Sequence, residues 1–160
     1  MNKIHKLLVA NRGEIAIRAL RAATELGIRT VAVYTYEDRY SLHRYKADES
    51  YQIGSDTDPL KPYLDIEEIL LVAKANKVNA IHPGYGFLSE NSKFAVACEN
   101  AGVTFIGPPA SAIDAMGSKS ESKNLMAAAG VPCVPGYHGE NQDEKFLYEK
   151  AKEIGTPLLI

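Results

Sequence analysis

Several side chains capable of chemistry fall in one segment of the chain, His82-Pro83-Gly84-Tyr85-Gly86-Phe87-Leu88-Ser89-Glu90-Asn91. Glycines at positions 84 and 86 allow backbone N–H groups to turn toward a ligand, because no side chain blocks the approach. A short apolar run precedes the segment and places it at the carboxyl end of a strand, where α/β proteins usually bind ligands. Between its two glycines, the Tyr85 ring is predicted to face a ligand or a neighbouring surface. His82, at the strand end, is more often a hydrogen-bonded structural group than a catalyst in such a position.

A second candidate site lies in Gly117-Ser118-Lys119-Ser120, where a lysine stands at the start of a predicted helix. The positive end of the helix dipole makes that position unfavourable for a cation. A lysine is favourable there when it shares an anion such as phosphate with the helix N-terminus. The alternative is an exposed lysine without a ligand, and the residues alone leave both interpretations open.

The first predicted strand ends in the turn Asn11-Arg12-Gly13-Glu14, which opens a helix. A dinucleotide-binding fold would carry Gly-x-Gly-x-x-Gly at this point, and only one glycine is present. Gly84 and Gly86 make a second partial match, with Ser89 in place of the third glycine. Both departures argue against NAD binding. No carboxylate spacing is diagnostic of a metal site.

Arg18, Arg21 and Glu25 occupy positions i, i+3 and i+7 of the first predicted helix. Their spacing puts them on one face, which favours a solvated, salt-bridged surface. Arginine is also enriched at interfaces between proteins, so a subunit interface is the alternative hypothesis.

Predicted strands and helices alternate along the chain, and they would position the candidate site residues. Gly27, Gly102, Gly130 and Gly155 each follow a predicted helix and precede a β-branched residue, which is typical of a helix C-terminal cap. Ser89 is predicted to cap the helix after the Tyr85 segment. The pattern predicts an α/β protein with a mostly parallel, Rossmann-like sheet and helices on both faces. The predicted strands are 6–10, 30–34, 49–53, 80–82 and 104–106, and the predicted helices are 15–26, 65–75, 91–101, 120–129 and 143–154.

A break at Gly107-Pro108-Pro109 predicts a domain boundary near residue 110, giving domains 1–110 and 111–160. The last residues, 157–160, are apolar and are predicted to form the middle of a strand. We therefore expect the sequence to be a piece of a longer protein.

The composition narrows the class of protein. A net charge of −2 offers no basic surface for nucleic acid. No apolar run is long enough to span a membrane, and the first residues do not resemble a targeting leader. Cys98 and Cys133 lack metal-ligand spacing and are expected to be reduced thiols. The predicted location is the cytoplasm, or the mitochondrial matrix if the chain comes from a mature eukaryotic protein.

The turn and the Tyr85 segment together closely resemble biotin carboxylases, the ATP-dependent part of biotin-dependent carboxylases. The resemblance rests on residues 8–18, 46–49, 82–91, 105–108 and 129–132, and it covers essentially the whole chain. It is closest to pyruvate carboxylases, with acyl-CoA carboxylase α-subunit character at 120–139. The resemblance implies a Rossmann-like domain followed by the beginning of an ATP-grasp domain.

The resemblance also implies an activity and roles for individual residues. Biotin carboxylases use ATP, Mg²⁺ and bicarbonate to form carboxyphosphate and then carboxylate biotin, which a carrier domain presents. By position, Lys119 matches a lysine that contacts ATP phosphate, although Ser118 departs from the residue usually found before it. The remaining matches are His82, Tyr85 and Gly86 in the loop against biotin, and Arg18, Arg21, Glu25 and Phe87 in a homodimer interface.

Catalytic residues and Mg²⁺ ligands of the family are expected beyond Ile160, so the chain alone is predicted to lack a complete active site. Two other functions remain as alternatives. One is another ATP-grasp ligase, such as a carbamoyl-phosphate type enzyme. The other is a non-catalytic domain that binds a carboxylase through the dimer contacts.

Overall fold

Five short strands form one parallel sheet in the computed structural model, which describes residues 3–55 and 58–159. The strand order is β3-β2-β1-β4-β5, so the chain adds strands on one side of β1 and then on the other. Every pairing is parallel, with Leu8 opposite Val31 in β2 and opposite Ile81 in β4. The strands are β1 Lys6–Val9, β2 Arg29–Tyr34, β3 Glu49–Gln52, β4 Ala80–His82 and β5 Thr104–Phe105.

The helices along the chain are α1 Gly13–Glu25, α2 Leu42–Lys46, α3 Ile66–Ala75, α4 Ser92–Asn100, α5 Ala110–Gly117, α6 Lys119–Ala128 and α7 Glu144–Ile154, with 3₁₀ turns at Glu37–Tyr40 and Lys61–Leu64. Of these, α1 packs on one face of the sheet and α3 and α4 pack on the other, as the sequence pattern predicts. Alternate residues of β1 point to opposite faces, because side chains of a strand alternate. Leu8 packs with α3 and α4 residues such as Ile69 and Phe94. Leu7 and Val9 pack with Ala16 and Leu20 of α1.

Three of the predicted helix caps close with the same pair of backbone hydrogen bonds. After α1, Gly27 N–H donates to Thr24 and Ile28 N–H donates to Ala23. The glycine has φ +69°, a conformation that glycine adopts without a Cβ penalty. The same bonds follow α4 and α6, at residues 102–103 and 130–131. The capping prediction is confirmed at these positions.

The chain divides into two units, Met1–Ile113 and Asp114–Ile160. The first contains the whole sheet. In the second, Ser118 and Asp143 cap α6 and α7 by accepting the N–H groups of Glu121 and Phe146. No residue of these two helices is fully buried. The assignment of residues 111–160 to an ATP-grasp domain stays a prediction.

Several sequence-based expectations need correction. The helix after the Tyr85 segment begins at Ser92, and its cap is Asn91 instead of Ser89, because Asn91 Oδ1 accepts the Phe94 N–H. Helices α2 and α5 were not predicted. The first is a short helix without apolar periodicity, and the second follows Pro109, whose missing N–H is harmless at a helix start.

The strand predicted at residues 157–160 lies only partly within the residues that the structure describes. Residues 157–159 form no strand, since a strand requires a partner and none of the described residues 114–159 is in a strand. The structure does not describe Ile160, nor does it describe Met1 and Asn2 at the start of the chain.

Candidate functional site

The Tyr85 segment lies beside the first turn, at the carboxyl ends of β4 and β1. These two strands are neighbours at the point where the strand order reverses. In doubly wound folds a ligand crevice opens at this position. We call residues 83–87 the glycine loop, because Gly84 and Gly86 give it its conformation. The loop is therefore placed where the sequence predicted a ligand-facing segment.

Asn11 joins the first turn to the glycine loop. Its side-chain amide is fully buried and donates hydrogen bonds to the carbonyl oxygens of Pro83, at 2.8 Å, and Tyr85, at 3.0 Å. Its Oδ1 accepts the Arg12 N–H at 2.9 Å. This buried side chain therefore holds the loop that follows β4 against the turn that follows β1.

Gly84 is required by two independent features of the loop. Its φ is +68°, in the left-handed region that favours glycine. A Cβ at this position would lie 2.6 Å from Asn11 Nδ2 and 2.6 Å from Ile15 Cγ2. The loop and the start of α1 are thus in close contact, with no room for a side chain between them.

Tyr85 reaches from the loop to α1. Its ring is 63% exposed, and its hydroxyl donates a 2.5 Å hydrogen bond to Glu14. This hydrogen bond raises the pKa of the Tyr85 phenol, and the charge of nearby Arg18 opposes the shift. The hydroxyl bond to Glu14 fixes where the exposed Tyr85 ring stands, and its contact with a ligand or a neighbouring surface stays a prediction.

Phe87 anchors the other end of the loop. Its ring stacks on Tyr63 with 5.2 Å between centroids and 10° between planes. The Tyr63 hydroxyl donates to Asp38 at 2.8 Å, and both residues are buried. Asp38 also forms a 2.8 Å ion pair with Arg12. The first turn and the loop are therefore joined a second time, through a buried carboxylate.

His82 has a structural hydrogen bond within the same turn. Its Nδ1 accepts the Gly84 N–H at 2.9 Å, which places the proton of the neutral ring on Nε2. Burial lowers the pKa of His82, so the ring is neutral near pH 7. The hydrogen-bonded role expected for a strand-end histidine is thus present.

Arg18, Arg21 and Glu25 are all exposed on one face of α1. Arg21 Nε and Glu25 Oε1 form an ion pair at 2.9 Å. One turn before Arg18, the same face carries Glu14, which accepts the hydrogen bond of the Tyr85 hydroxyl. The predicted dimer face of α1 and the glycine loop therefore adjoin. Phe87, predicted for the same interface, has its ring stacked inside its own chain.

Lys119 belongs to the second unit. It is the first residue of α6, directly after the cap Ser118, and its side chain is exposed. The predicted position at a helix start is confirmed, and its role toward phosphate stays a prediction. Within residues 3–55 and 58–159 there is no group of three or more His, Cys, Asp or Glu side chains that could hold a metal ion.

Sequence reasoning missed the three side chains that hold the loop. The sequence places Asn11 in the first turn but does not indicate its hydrogen bonds to the loop. It indicates no role for Asp38 or Tyr63, because these two residues, which form a hydrogen bond with each other, are 25 positions apart. The signal available for Asn11 was a polar residue directly after a buried apolar strand, where a side chain must satisfy exposed backbone groups.

Comparison with known proteins identifies the family. The profile of the biotin carboxylase N-terminal domain matches residues 3–113. The chain belongs to this family.

Relatives of two kinds match nearly the whole chain. The mouse mitochondrial methylcrotonoyl-CoA carboxylase subunit alpha is 54% identical over 157 residues, which are 98% of this chain and 22% of that protein. The pyruvate carboxylase of Staphylococcus aureus is 54% identical over 160 residues, which are all of this chain and 14% of that protein. The chain thus spans less than a quarter of the length of these relatives.

A solved structure matches the fold. The biotin carboxylase domain dimer of Hydrogenobacter thermophilus 2-oxoglutarate carboxylase, in complex with MgADP, ADP and bicarbonate, has a TM-score of 0.89 and 50% identity. The match covers 98% of this chain and 34% of that one. In the described part of this chain, no helix is long and apolar enough to cross a membrane.

Proposed function

We propose that the chain is the amino-terminal part of a biotin carboxylase, an ATP-dependent ligase that uses bicarbonate to carboxylate biotin. The observation that carries the proposal is the 50% identity and TM-score of 0.89 to a domain whose structure contains MgADP and bicarbonate. The single glycine of the first turn argues against the alternative of dinucleotide binding.

Within the enzyme, the glycine loop would contribute the side of the active site that meets biotin. The exposed ring of Tyr85 would be presented to biotin, and its bond to Glu14 would hold it there. Gly86 supports this role since a Cβ built on it meets nothing within 4 Å, so its backbone is open to an approaching group. His82 would act on the shape of the turn, through its bond to Gly84.

The other two candidate sites would bind ATP and a second subunit. Lys119, exposed at the start of α6, would share an ATP phosphate with the helix N-terminus. Arg18, Arg21 and Glu25 would form part of a homodimer face, and Phe87 would support the loop beside it. The H. thermophilus domain is a dimer, which supports a homodimer here.

Mg²⁺ would neutralise phosphate charge during the reaction, but the described residues of this chain do not offer a site for it. We assign no step to the metal within this chain and place its ligands, with the catalytic residues, beyond Ile160. Biotin would arrive on a carrier domain. Pyruvate remains the acceptor we propose, with an acyl-CoA as alternative, and the two kinds of relative at 54% identity leave that choice open. The proposed location is the cytoplasm or the mitochondrial matrix.

A chimera tests the proposal with the whole of this sequence. Residues 1–160 replace the matching third of the H. thermophilus biotin carboxylase domain, and ATP hydrolysis is measured with and without bicarbonate and free biotin. We expect hydrolysis to require bicarbonate and to be faster with biotin. Hydrolysis that ignores bicarbonate would favour another ATP-grasp ligase. A chimera that folds, shown by its circular dichroism and melting, but hydrolyses no ATP would contradict the proposal.

A further inference from the structure

We propose that Asn11 is a positioning residue for biotin carboxylation, which holds the glycine loop in the conformation that meets biotin without touching biotin itself. This inference rests on the proposed function and adds to it a residue whose partners are in the chain. Its basis is the side-chain amide of Asn11, which is bonded to the loop on both sides of Gly84.

Every polar atom of the Asn11 side chain is occupied. The amide nitrogen uses its two protons on the carbonyl oxygens of Pro83 and Tyr85, and the oxygen accepts the Arg12 N–H. The side chain is fully buried, so water cannot replace these partners. No isosteric residue offers the same two donors and one acceptor, because aspartate has oxygens in place of the amide nitrogen.

The loop depends on such a restraint. Gly84, Gly86 and Phe87 all have positive φ values, of +68°, +69° and +42°. A phenylalanine in this region is unfavourable and persists only when its surroundings determine the conformation. Stacking on Tyr63 determines the position of the Phe87 ring, and Asn11 determines the direction of the carbonyls before it. The backbone that carries Tyr85 is therefore fixed from both ends.

The sharpest variant is Asn11→Asp, which keeps the size of the side chain and turns two donors into acceptors that face carbonyl oxygens. In the chimera, we expect the KM for biotin to rise at least about tenfold, the factor that corresponds to one lost hydrogen bond. The KM for ATP should stay within about twofold, since the ATP contacts belong to other residues. Amide hydrogen exchange of residues 84–87 in the 160-residue chain should become faster.

Thr30→Val is the matched control. It removes the hydrogen bonds that the buried Thr30 hydroxyl makes with Asp48 at the amino-terminal end of β2, at the opposite edge of the sheet from the loop, so it should lower the urea midpoint and leave the KM for biotin unchanged. If Asn11→Asp does not fold, Asn11→Ser removes the same two donors without placing a charge. It should raise the KM for biotin selectively, by a smaller factor.

The outcomes separate this inference from the function on which it rests. Equal rises in the KM for biotin and for ATP, or no rise in either, would overturn the positioning role. Faster amide exchange throughout the sheet, instead of at residues 84–87 alone, would show a purely structural role and would also overturn the positioning role. If the unsubstituted chimera does not carboxylate biotin, the proposed function fails, and the exchange result still decides whether Asn11 holds the loop.

Discussion

Gly84→Ala tests the close contact between the glycine loop and the start of α1. The alanine would have to adopt the left-handed backbone conformation of Gly84, which lowers the free energy of unfolding by about 1–2 kcal/mol. Its Cβ also approaches Asn11 Nδ2 and Ile15 Cγ2 to 2.6 Å, which is well inside van der Waals contact. Neither neighbour can move easily, because the Asn11 amide is fully bonded and Cγ2 is attached directly to a helical Cβ. Overpacking of this kind adds about 1–3 kcal/mol.

Gly86→Ala is the matched control two residues away. Its φ of +69° equals that of Gly84 within a degree, and nothing lies within 4 Å of its added Cβ. It should therefore cost only the conformational penalty of about 1–2 kcal/mol. Urea unfolding followed by circular dichroism measures both variants. We expect Gly84→Ala to be less stable than Gly86→Ala by about 1–3 kcal/mol. Equal losses would refute the close contact, and with it the bridge that Asn11 makes.

Three further predictions concern Lys119, the two cysteines and the buried histidines. Lys119→Ala should raise the KM for ATP in the chimera and leave the melting temperature unchanged, because the side chain is exposed; an unchanged KM would exclude the phosphate contact. A thiol reagent should modify exposed Cys133 rapidly in the native chain and buried Cys98 only after unfolding, since burial raises the pKa of the Cys98 thiol to about 12. Burial lowers the pKa values of His43 and His82, so the unfolded chain binds more protons below about pH 6.5, and the urea midpoint should fall as the pH is lowered from about 6.5. An NMR titration of either imidazole with a pKa above 6.5 would contradict this.

The alternation of strands and helices was predictable because each element carries a local pattern. A buried strand such as β1 has consecutive apolar residues, and α3 places Ile69 and Ala73 on one face. Predicted boundaries differ from the observed ones by no more than two residues at either end. Apolar periodicity could not predict helix α2, because its five residues are too few to show a helical period. The helix instead packs against α1 and β2, and such contacts cannot be seen in a local pattern.

The site was predictable in its location and not in its construction. Glycines in a Pro/Gly-rich turn after a strand indicate a loop at the carboxyl edge of the sheet, whatever the rest of the fold. The supports of that loop are contacts over long sequence distances. Asn11 is 72 residues from Pro83 and meets it because the sheet brings β1 and β4 together. Tyr63 stacks on Phe87 from a separate 3₁₀ turn that follows β3. No local pattern in a single sequence contains such pairs.

We propose that this chain forms part of an enzyme that carboxylates biotin. The most direct test is transfer of label from [¹⁴C]bicarbonate to free biotin by the chimera that carries residues 1–160, in the presence of ATP and Mg²⁺. We expect labelled, acid-labile carboxybiotin whose formation depends on ATP and decreases with Asn11→Asp at low biotin. A folded chimera that hydrolyses ATP but transfers no label to biotin would contradict this proposal.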